Sequence, residues 1–600
     1  MLDTRTVAGH RPSPEMVARA DVDAACFGEI YAAPIPDWEA FLGEKVTRID
    51  RSSAPAKDRS FGHSESSIEC FAYGRLNLST NCVDSHPDTR GDRTAIIWRP
   101  DDPEDEGQHI AYTQLAEEVD RMSNGLENLG VDEGDCVVHH LPRRSETIYA
   151  MPTYARIGGI HSIFFAGVLP NAFGARTAGC DVKVIITADA ARRGRRVTNL
   201  KNDVNQGLIR LTQKAPCLVV RRTDQQIASR DGLDHWLREA AQVDADLSAE
   251  PMVAEDPPFI LYTSRSEGQP RSVVHVTDRH LTYAAVSGEI VFDDDGDLFR
   301  CIADVGWITG QTHIVNGPLA NGATTLMLEG APTIPDAGRL RAAYGKYEAS
   351  RSCTDPTAIY ALMGLGYEQV MKHDLPSLPI TGTLTEPIYA EARVWYGETV
   401  GEGRCPIDDT WRQTDVGGLL MTPLPGAHET KCWSAQKLFF GVNPVVLDAM
   451  TGRPVEGNGV ERVPCLDDGR PGQVRTVWED HEYLEKTCFA DYSGYDLAGD
   501  GCWRDEDDYA SLVGTSVLAD PSMVDDVIDN RMNRKDAQWT ALRPRPVRRR
   551  SSSSWDLPAR GKGRRRESCK SNSASFSFRP AIFSGRRYRR VRRPAMPRKP

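Results

Sequence analysis

The sequence predicts an α/β fold whose mostly parallel sheet is buried between helices. Three observations predict it. Leu115, Val119, Met122, Leu126 and Leu129 recur at helical spacing, and Gly130 follows as a stop signal. Short apolar runs bounded by Gly, Asp or Ser, namely VKVIITAD (182–189), FILYTS (259–264) and ATTLMLEG (323–330), read as strands buried on both faces. Strand-like and helix-like stretches also alternate along the body of the chain, with CVVHHL and then MPTYARIGGIHSIFF after the first helix. In such folds ligands collect beyond the carboxyl ends of strands, where loops lead into helices. The loops after FILYTS and after PITGTLTEP are therefore the places to look for a site.

Six hundred residues are too many for one core, so two or more domains are expected. A 40% hydrophobic and 26% charged composition describes an ordinary globular chain, and no apolar run approaches a membrane span. The N-terminus lacks the apolar centre of a signal peptide. The 14 cysteines are scattered without CxxC spacing, which reads as reduced thiols of a cytoplasmic protein and not as disulfides or a zinc site. His139 and His140 would face opposite sides of a strand, and HExxH is absent, so no protein-built metal site is expected.

The net charge of −13 conceals a split. Residues 541–600 hold 20 Lys+Arg and 2 Asp+Glu, a net +18, which leaves 52 basic and 83 acidic groups, net −31, for residues 1–540. The tail has almost no periodic apolar pattern and cannot offset its chain entropy by burial, so it is read as disordered. A basic arm for nucleic acid or an anionic membrane is the sharp reading of such a segment. A non-native terminus read out of frame is the plainer one, and we favour it.

Several segments carry a resemblance to a known family. YTSRSEGQPRSVVH (262–275), preceded by the run from Phe259, is similar to the phosphate-loop signature of adenylate-forming enzymes. CIADVGWITGQTHIVNGPLANGATTLMLEG (301–330), CPIDDTWRQTDVGG (405–418), TPLPGA (422–427) and GDGCWRDED (499–507) resemble segments of AMP-forming acetyl-CoA synthetases. So do AIIWRPDDP, QHIAYTQL and VIITADAARRGRRVTNLK nearer the N-terminus. The resemblance runs from about Ile30 to Asp507, with the motifs in family order. It implies a large adenylate-forming domain at 86–507 after an N-terminal extension at 1–85. It also implies ATP, CoA and Mg²⁺ as cofactors and acetate, ATP and CoA as partners. Neither membrane nor nucleic acid is expected as a partner, and the sequence carries no signal for an oligomeric state.

The resemblance carries residues over one at a time. Thr385, Glu386 and Pro387 stand where the family lines adenine. Asp409, Thr410, Trp411, Arg412, Gln413 and Thr414 match the motif beside adenine and the α-phosphate, and Asp500 matches the acid on the ribose. Thr263, Ser264, Ser266, Gly268 and Arg271 are what remains of the phosphate loop. Arg193, Gly194, Arg195 and Arg196 fall where a basic segment meets CoA, with Thr309 beside them. Ile308, Thr309, Leu384 and Arg412 would line the acyl pocket. Read alone, an Asp before a Gly is a turn former and ARRGRR a solvated basic loop; their joint order gives them site positions.

This sequence also departs from the pattern. Arg265 replaces a Gly, Glu267 puts a carboxylate where phosphate oxygens would lie, and Gln269 removes a cation. Arg412 replaces the Trp whose indole floors the acetate pocket, so occlusion or enlargement of that pocket is expected. Thr333 stands where the family has an Asn near CoA. Beyond Asp507 the match fades. VDDVI (524–528) is recognisable, but TSVLADPSM intervenes, and neither the Ser-Gly-His-Arg segment that helps hold Mg²⁺ nor the Pro-x4-Gly-Lys motif with its adenylation Lys is found. Residues 508–530 then read as a vestige of the small C-terminal domain and 531–600 as the basic tail that replaces it. The expectation is an acetate–CoA ligase relative of impaired activity. The competing reading is a catalytically inactive homologue that binds AMP, CoA or a partner.

Overall fold

The structure, a computed structural model, describes residues 11–20, 22–32, 47–54, 57–62, 67–194, 196–209, 211, 214–263, 271–292, 298–301, 303–349, 351–373, 380–383, 388, 390–403, 405–424, 426–431, 437–440, 442–447, 451–454, 459–461, 463–467, 472–490, 492, 495–497, 502–504 and 510–512. All of them fall in one compact unit, Met1–Arg534, and the second unit, Lys535–Pro600, lies outside them. The predicted basic tail, 531–600, and the predicted vestigial segment, 508–530, lie outside them as well, apart from Ala510–Leu512.

Two large sheets organise the body. The first has eight strands in the spatial order Asp234–Trp236, Cys217–Val220, Val182–Ala188, Cys136–His140, Ile160–Ile163, Phe259–Thr263, Arg271–Val274, Thr476–Val477. Its first six strands run parallel, Arg271–Val274 runs against them, and Thr476–Val477, antiparallel to Arg271–Val274, returns to their direction. The second has seven strands in the order Ile407–Asp409, Ile380–Thr383, Arg351–Thr354, Leu298–Cys301, Thr324–Leu328, Thr94–Arg99, Gln108–Ala111. It is parallel apart from its Gln108–Ala111 edge.

The helix anticipated from Leu115 to Leu129 forms as Tyr112–Asn128 and buries Leu115, Val119, Met122 and Leu126. It shares a core with the helices Ser145–Arg156 and Thr277–Phe292 and with side chains from both sheets, among them Val137, Val184 and Ile186 of the first and Ile96, Trp98 and Met327 of the second. Separate apolar clusters back the outer faces: Phe173 and Val204 against the first sheet, Tyr344, Leu362 and Tyr396 against the second. Helices thus cover both faces of both sheets, which explains why the central strands read as unbroken apolar runs. Each fully buried Leu or Val adds about 1.5–3 kcal/mol.

His139 and His140 sit at the end of the Cys136–His140 strand and do point apart. His139 meets the Tyr154 hydroxyl at 2.9 Å, and His140 meets the carbonyl of Phe164 at 3.2 Å. Arg156, buried, is held by Asp84 at 2.9 Å and Asp120 at 2.7 Å. That pairing ties the end of its helix to two other elements and gives the buried Arg156 guanidinium its counter-charge.

Candidate active site

The carboxyl edge of the second sheet gathers the polar groups. Ile380–Thr383 and Ile407–Asp409 are parallel neighbours with Thr383 opposite Asp409. The Thr383 hydroxyl donates to Asp409 Oδ1 at 2.7 Å, while the Thr383 carbonyl accepts from the Thr410 amide at 3.2 Å and its hydroxyl at 3.1 Å. Burial pushes the Asp409 carboxyl up to about 6, against the opposing pull of the Thr383 hydrogen bond and the Arg393 charge. Asp409 is thus an acceptor at neutral pH with one oxygen already engaged.

The chain then turns back on itself. Trp411–Gln413 pairs antiparallel with Gly418–Thr422, with the register broken between Trp411 and Arg412. Gly417 closes the turn at φ 71°, where a Cβ would run into the Gly472 carbonyl, so the position demands glycine. His275 Nε2 donates to the Thr414 carbonyl at 2.8 Å, fastening this turn to the first sheet. Trp411 is buried in the shared core. Asp409 to Thr414 therefore stay together, on the edge where ligands meet such sheets.

Arg412 points inward and is only 6% exposed. Its Nη1 donates to Thr309 Oγ1 at 3.3 Å and to His313 Nδ1 at 2.9 Å, and its Nη2 donates to Thr410 Oγ1 at 3.2 Å. A cation donating to His313 Nδ1 fixes that ring as the neutral Nε2–H tautomer. Nε2 then donates to Ser287 Oγ at 2.9 Å, and Ser287 donates to the Tyr283 carbonyl at 2.6 Å. Burial and the Arg412 charge hold the His313 pKa well below its ordinary value. Among the described residues no carboxylate pairs with Arg412. Hydroxyls and an imidazole surround it.

Thr309 and Ile308 come from the loop 303–309, which leads into a wide π-type turn, Gly310–Asn316. Thr309 is 1% exposed, and Ile308 packs with Phe259, Leu261 and Val273. The same loop carries Asp304, whose Oδ1 accepts from the Gly306 amide at 2.9 Å. Burial raises the Asp304 carboxyl, and the charges of Arg143 and Arg193 oppose that rise. Arg193 belongs to the basic segment, which forms a small ribbon of Ala191–Arg193 against Arg196–Thr198 with Gly194 at φ 62° between them. Arg193 and Arg196 are exposed, and Arg195 lies outside the described residues. Arg143 and Asp304 are additions that the sequence reading missed. Arg143 follows the CVVHHL strand, and that position past a strand end was the available signal.

The phosphate loop is framed but not described. Thr263 ends one strand, Arg271 begins the next, and the two are opposite each other. The Arg271 guanidinium lies 3.4 Å from the centre of the Tyr483 ring, so the one cation retained from the signature is stacked on an aromatic face. Ser264, Ser266 and Gly268 lie outside the described residues, as do Leu384, Thr385, Glu386, Pro387 and Asp500. Among the described residues no group of three or more His, Cys, Asp or Glu could hold a metal ion, and no helix is long and apolar enough to cross a membrane.

Two helix-covered sheets, with polar residues gathered where parallel strands end, define an α/β architecture with a ligand-binding edge. Residues 83–473 match the family described as AMP-binding enzyme. The chain is 47% identical over 523 residues to an acetyl-coenzyme A synthetase of Rhodobacter capsulatus, covering 86% of this chain and 78% of that one. It is 46% identical to one of Methylorubrum populi, covering 85% and 78%. The fold is similar to that of the acetoacetyl-CoA synthetase from Streptomyces lividans, with a TM-score of 0.76 at 19% identity over 84% of this chain and 80% of that one. The chain belongs to the AMP-binding enzymes and, among them, to the acetyl-CoA synthetases.

Proposed function

We propose that this protein is an AMP-forming acid–CoA ligase of the acetyl-CoA synthetase type, working on acetate, ATP and CoA in the cytoplasm, and that the 600-residue chain turns over slowly. Identity of 47% across 86% of the chain carries the first half of this reading. In the reaction an acid oxygen attacks the α-phosphate of ATP to give acyl-AMP and pyrophosphate, and the CoA thiol then displaces AMP. Asp409 offers its free oxygen to nucleotide donors at the sheet edge. Trp411 packs the wall behind it, and the Gly417 turn keeps Thr414 in register. Arg193 and Arg143, whose charges both reach Asp304, supply positive charge for the phosphates of CoA. ATP brings Mg²⁺ on its own phosphates; the described side chains offer no carboxylate cluster that would hold the ion separately, and we assign no step to it.

The second half rests on sequence. Charge developing on phosphate oxygens needs preorganised donors, yet Glu267 and Gln269 replace such groups, and residues 513–600 hold no Pro-x4-Gly-Lys. These replacements also favour the reading of a homologue that binds AMP or CoA without turnover. Acetyl-CoA formation and pyrophosphate exchange by the purified chain test both readings. The expected rate lies well below the roughly 1–10³ per second of ordinary enzymes. Turnover within that range would refute the slow-chain reading, and failure to bind AMP or CoA would refute both.

A further inference from the structure

Arg412 is a buried guanidinium with no counter-charge among the described residues. Among the described residues no carboxylate lies within ion-pair distance of it. Three of its five N–H donors reach Thr309, His313 and Thr410, while Nε–H is buried with no acceptor. Guanidinium does not shed its proton to escape burial. A charge removed from water and left unpaired is costly, and proteins that keep one there give it an anion. The donors are also preorganised. His313 is locked as a neutral acceptor by Ser287 and Tyr283, and the two threonine hydroxyls pin the fork from the sides. The cation thus stands ready with an unused donor, one residue beyond Trp411 and two beyond the Thr410 amide that seals the Thr383–Asp409 edge.

We propose that Arg412, Thr309 and Thr410 form an anion-recognising floor to the acyl pocket, so that beside acetate this site takes a short dicarboxylic acid, and holds it more tightly than a monocarboxylic acid of the same length. This rests on the acid–CoA ligase reading above. One carboxylate of such an acid would face the nucleotide, and the other would meet the free donors of Arg412. Acetate has a single carboxylate, and if Arg412 held it, the attacking oxygen would be drawn away from the α-phosphate. A monocarboxylic acid with a methyl in place of the second carboxylate would bury apolar surface against an unpaired charge.

Calorimetry on the full chain tests this with malonate, propionate and acetate as probes, each titrated after saturation with AMP. Malonate and propionate have equal carbon number, so their ratio isolates the second charge. Malonate is expected to bind at least about tenfold more tightly than propionate, in keeping with a charge-assisted pair, and the ratio should shrink as salt is raised. Arg412→Trp should collapse the ratio to about one. Arg412→Lys should keep a reduced preference, since it retains charge without the fork. If AMP binds normally and malonate is no tighter than propionate in the unmodified chain, the inference is overturned while the ligase reading stands. If AMP itself does not bind, both fall. Should Arg412→Trp fail to fold, the unmodified chain and Arg412→Lys still decide.

Discussion

Asp409 combines two demands that oppose each other. Burial lifts its carboxyl to about 6, so the fold carries an ionised group at neutral pH that its surroundings disfavour. The folded pKa lies above the unfolded one, so the fold holds its proton more tightly. The contribution to stability is therefore greatest at low pH and declines as pH rises from about 4 through 6. Asp409→Asn keeps an oxygen to accept from Thr383 and removes the charge. We expect it to raise the melting temperature at pH 7.5 and to leave it nearly unchanged at pH 4. AMP affinity should fall about tenfold or more, the size of a lost charge-assisted hydrogen bond. Thermal unfolding at the two pH values, with AMP titration alongside, measures both effects. A variant less stable than the parent at pH 7.5 would contradict the burial argument.

At the scale of elements, the strands of the first sheet carry an unusual load of buried imidazole. His139, His140, His161 and His275 lie on or beside adjacent strands, and burial lowers all four, His139 to about 3 and the others to about 4. The unfolded chain takes up these protons near pH 6.5 and the fold refuses them, so stability is complete above 6.5 and is lost as pH falls toward 4. Asp84, Asp120, Asp256, Asp304 and, to about 6, Asp409, raised by burial, act in the opposite sense, and the four imidazoles outnumber Asp409 near pH 6. Their window opens from the ordinary carboxylate range upward, so the histidine effect shows most cleanly between pH 6.5 and 5.5. Urea unfolding across that interval should give midpoints that fall with pH, and His140→Phe, packed beside Phe173, should flatten the slope by about one proton. A pH-independent midpoint would mean that the imidazoles are hydrated in the fold.

The same strands show what was legible in the sequence. Val182–Ala188, Phe259–Thr263 and Thr324–Leu328 were readable because they are almost unbroken apolar runs, with Lys183 the one charged position. The helix over Tyr112–Asn128 was readable because one face is buried and the period is strict. The reversal at Arg271–Val274, which makes the phosphate loop a connection between antiparallel strands, carries no local signal. The surroundings of Arg412 were equally hidden. Thr309 and His313 are about a hundred residues away in sequence, and only the folded sheets bring them to it. Asp409 and Thr410 were found by resemblance, and their link to Thr383 by structure.

At the scale of the whole molecule, the slow turnover we propose has two separable sources in the sequence. One is the loop 264–270 and the other the stretch that follows Asp507. Arg265→Gly, Glu267→Thr and Gln269→Lys together would restore a backbone able to approach phosphate, remove a misplaced carboxylate and return one cation. ATP should then bind more tightly, with pyrophosphate exchange rising modestly. The overall reaction should remain slow, because a single preorganised donor at the α-phosphate is worth about 10²–10³ in rate and the loop does not supply the missing Lys. A small domain of the acetyl-CoA synthetase family grafted after Asp507 would supply that Lys. It would also supply the rigid-body closure that excludes water between the half-reactions. The graft alone is therefore expected to recover some acetyl-CoA formation, and graft with loop reversion to recover more than the sum of the two. Acetyl-CoA formation measured on the three variants decides. If the loop reversion alone matched the combined variant, the segment beyond Asp507 would be dispensable and the defect would lie wholly in the phosphate loop.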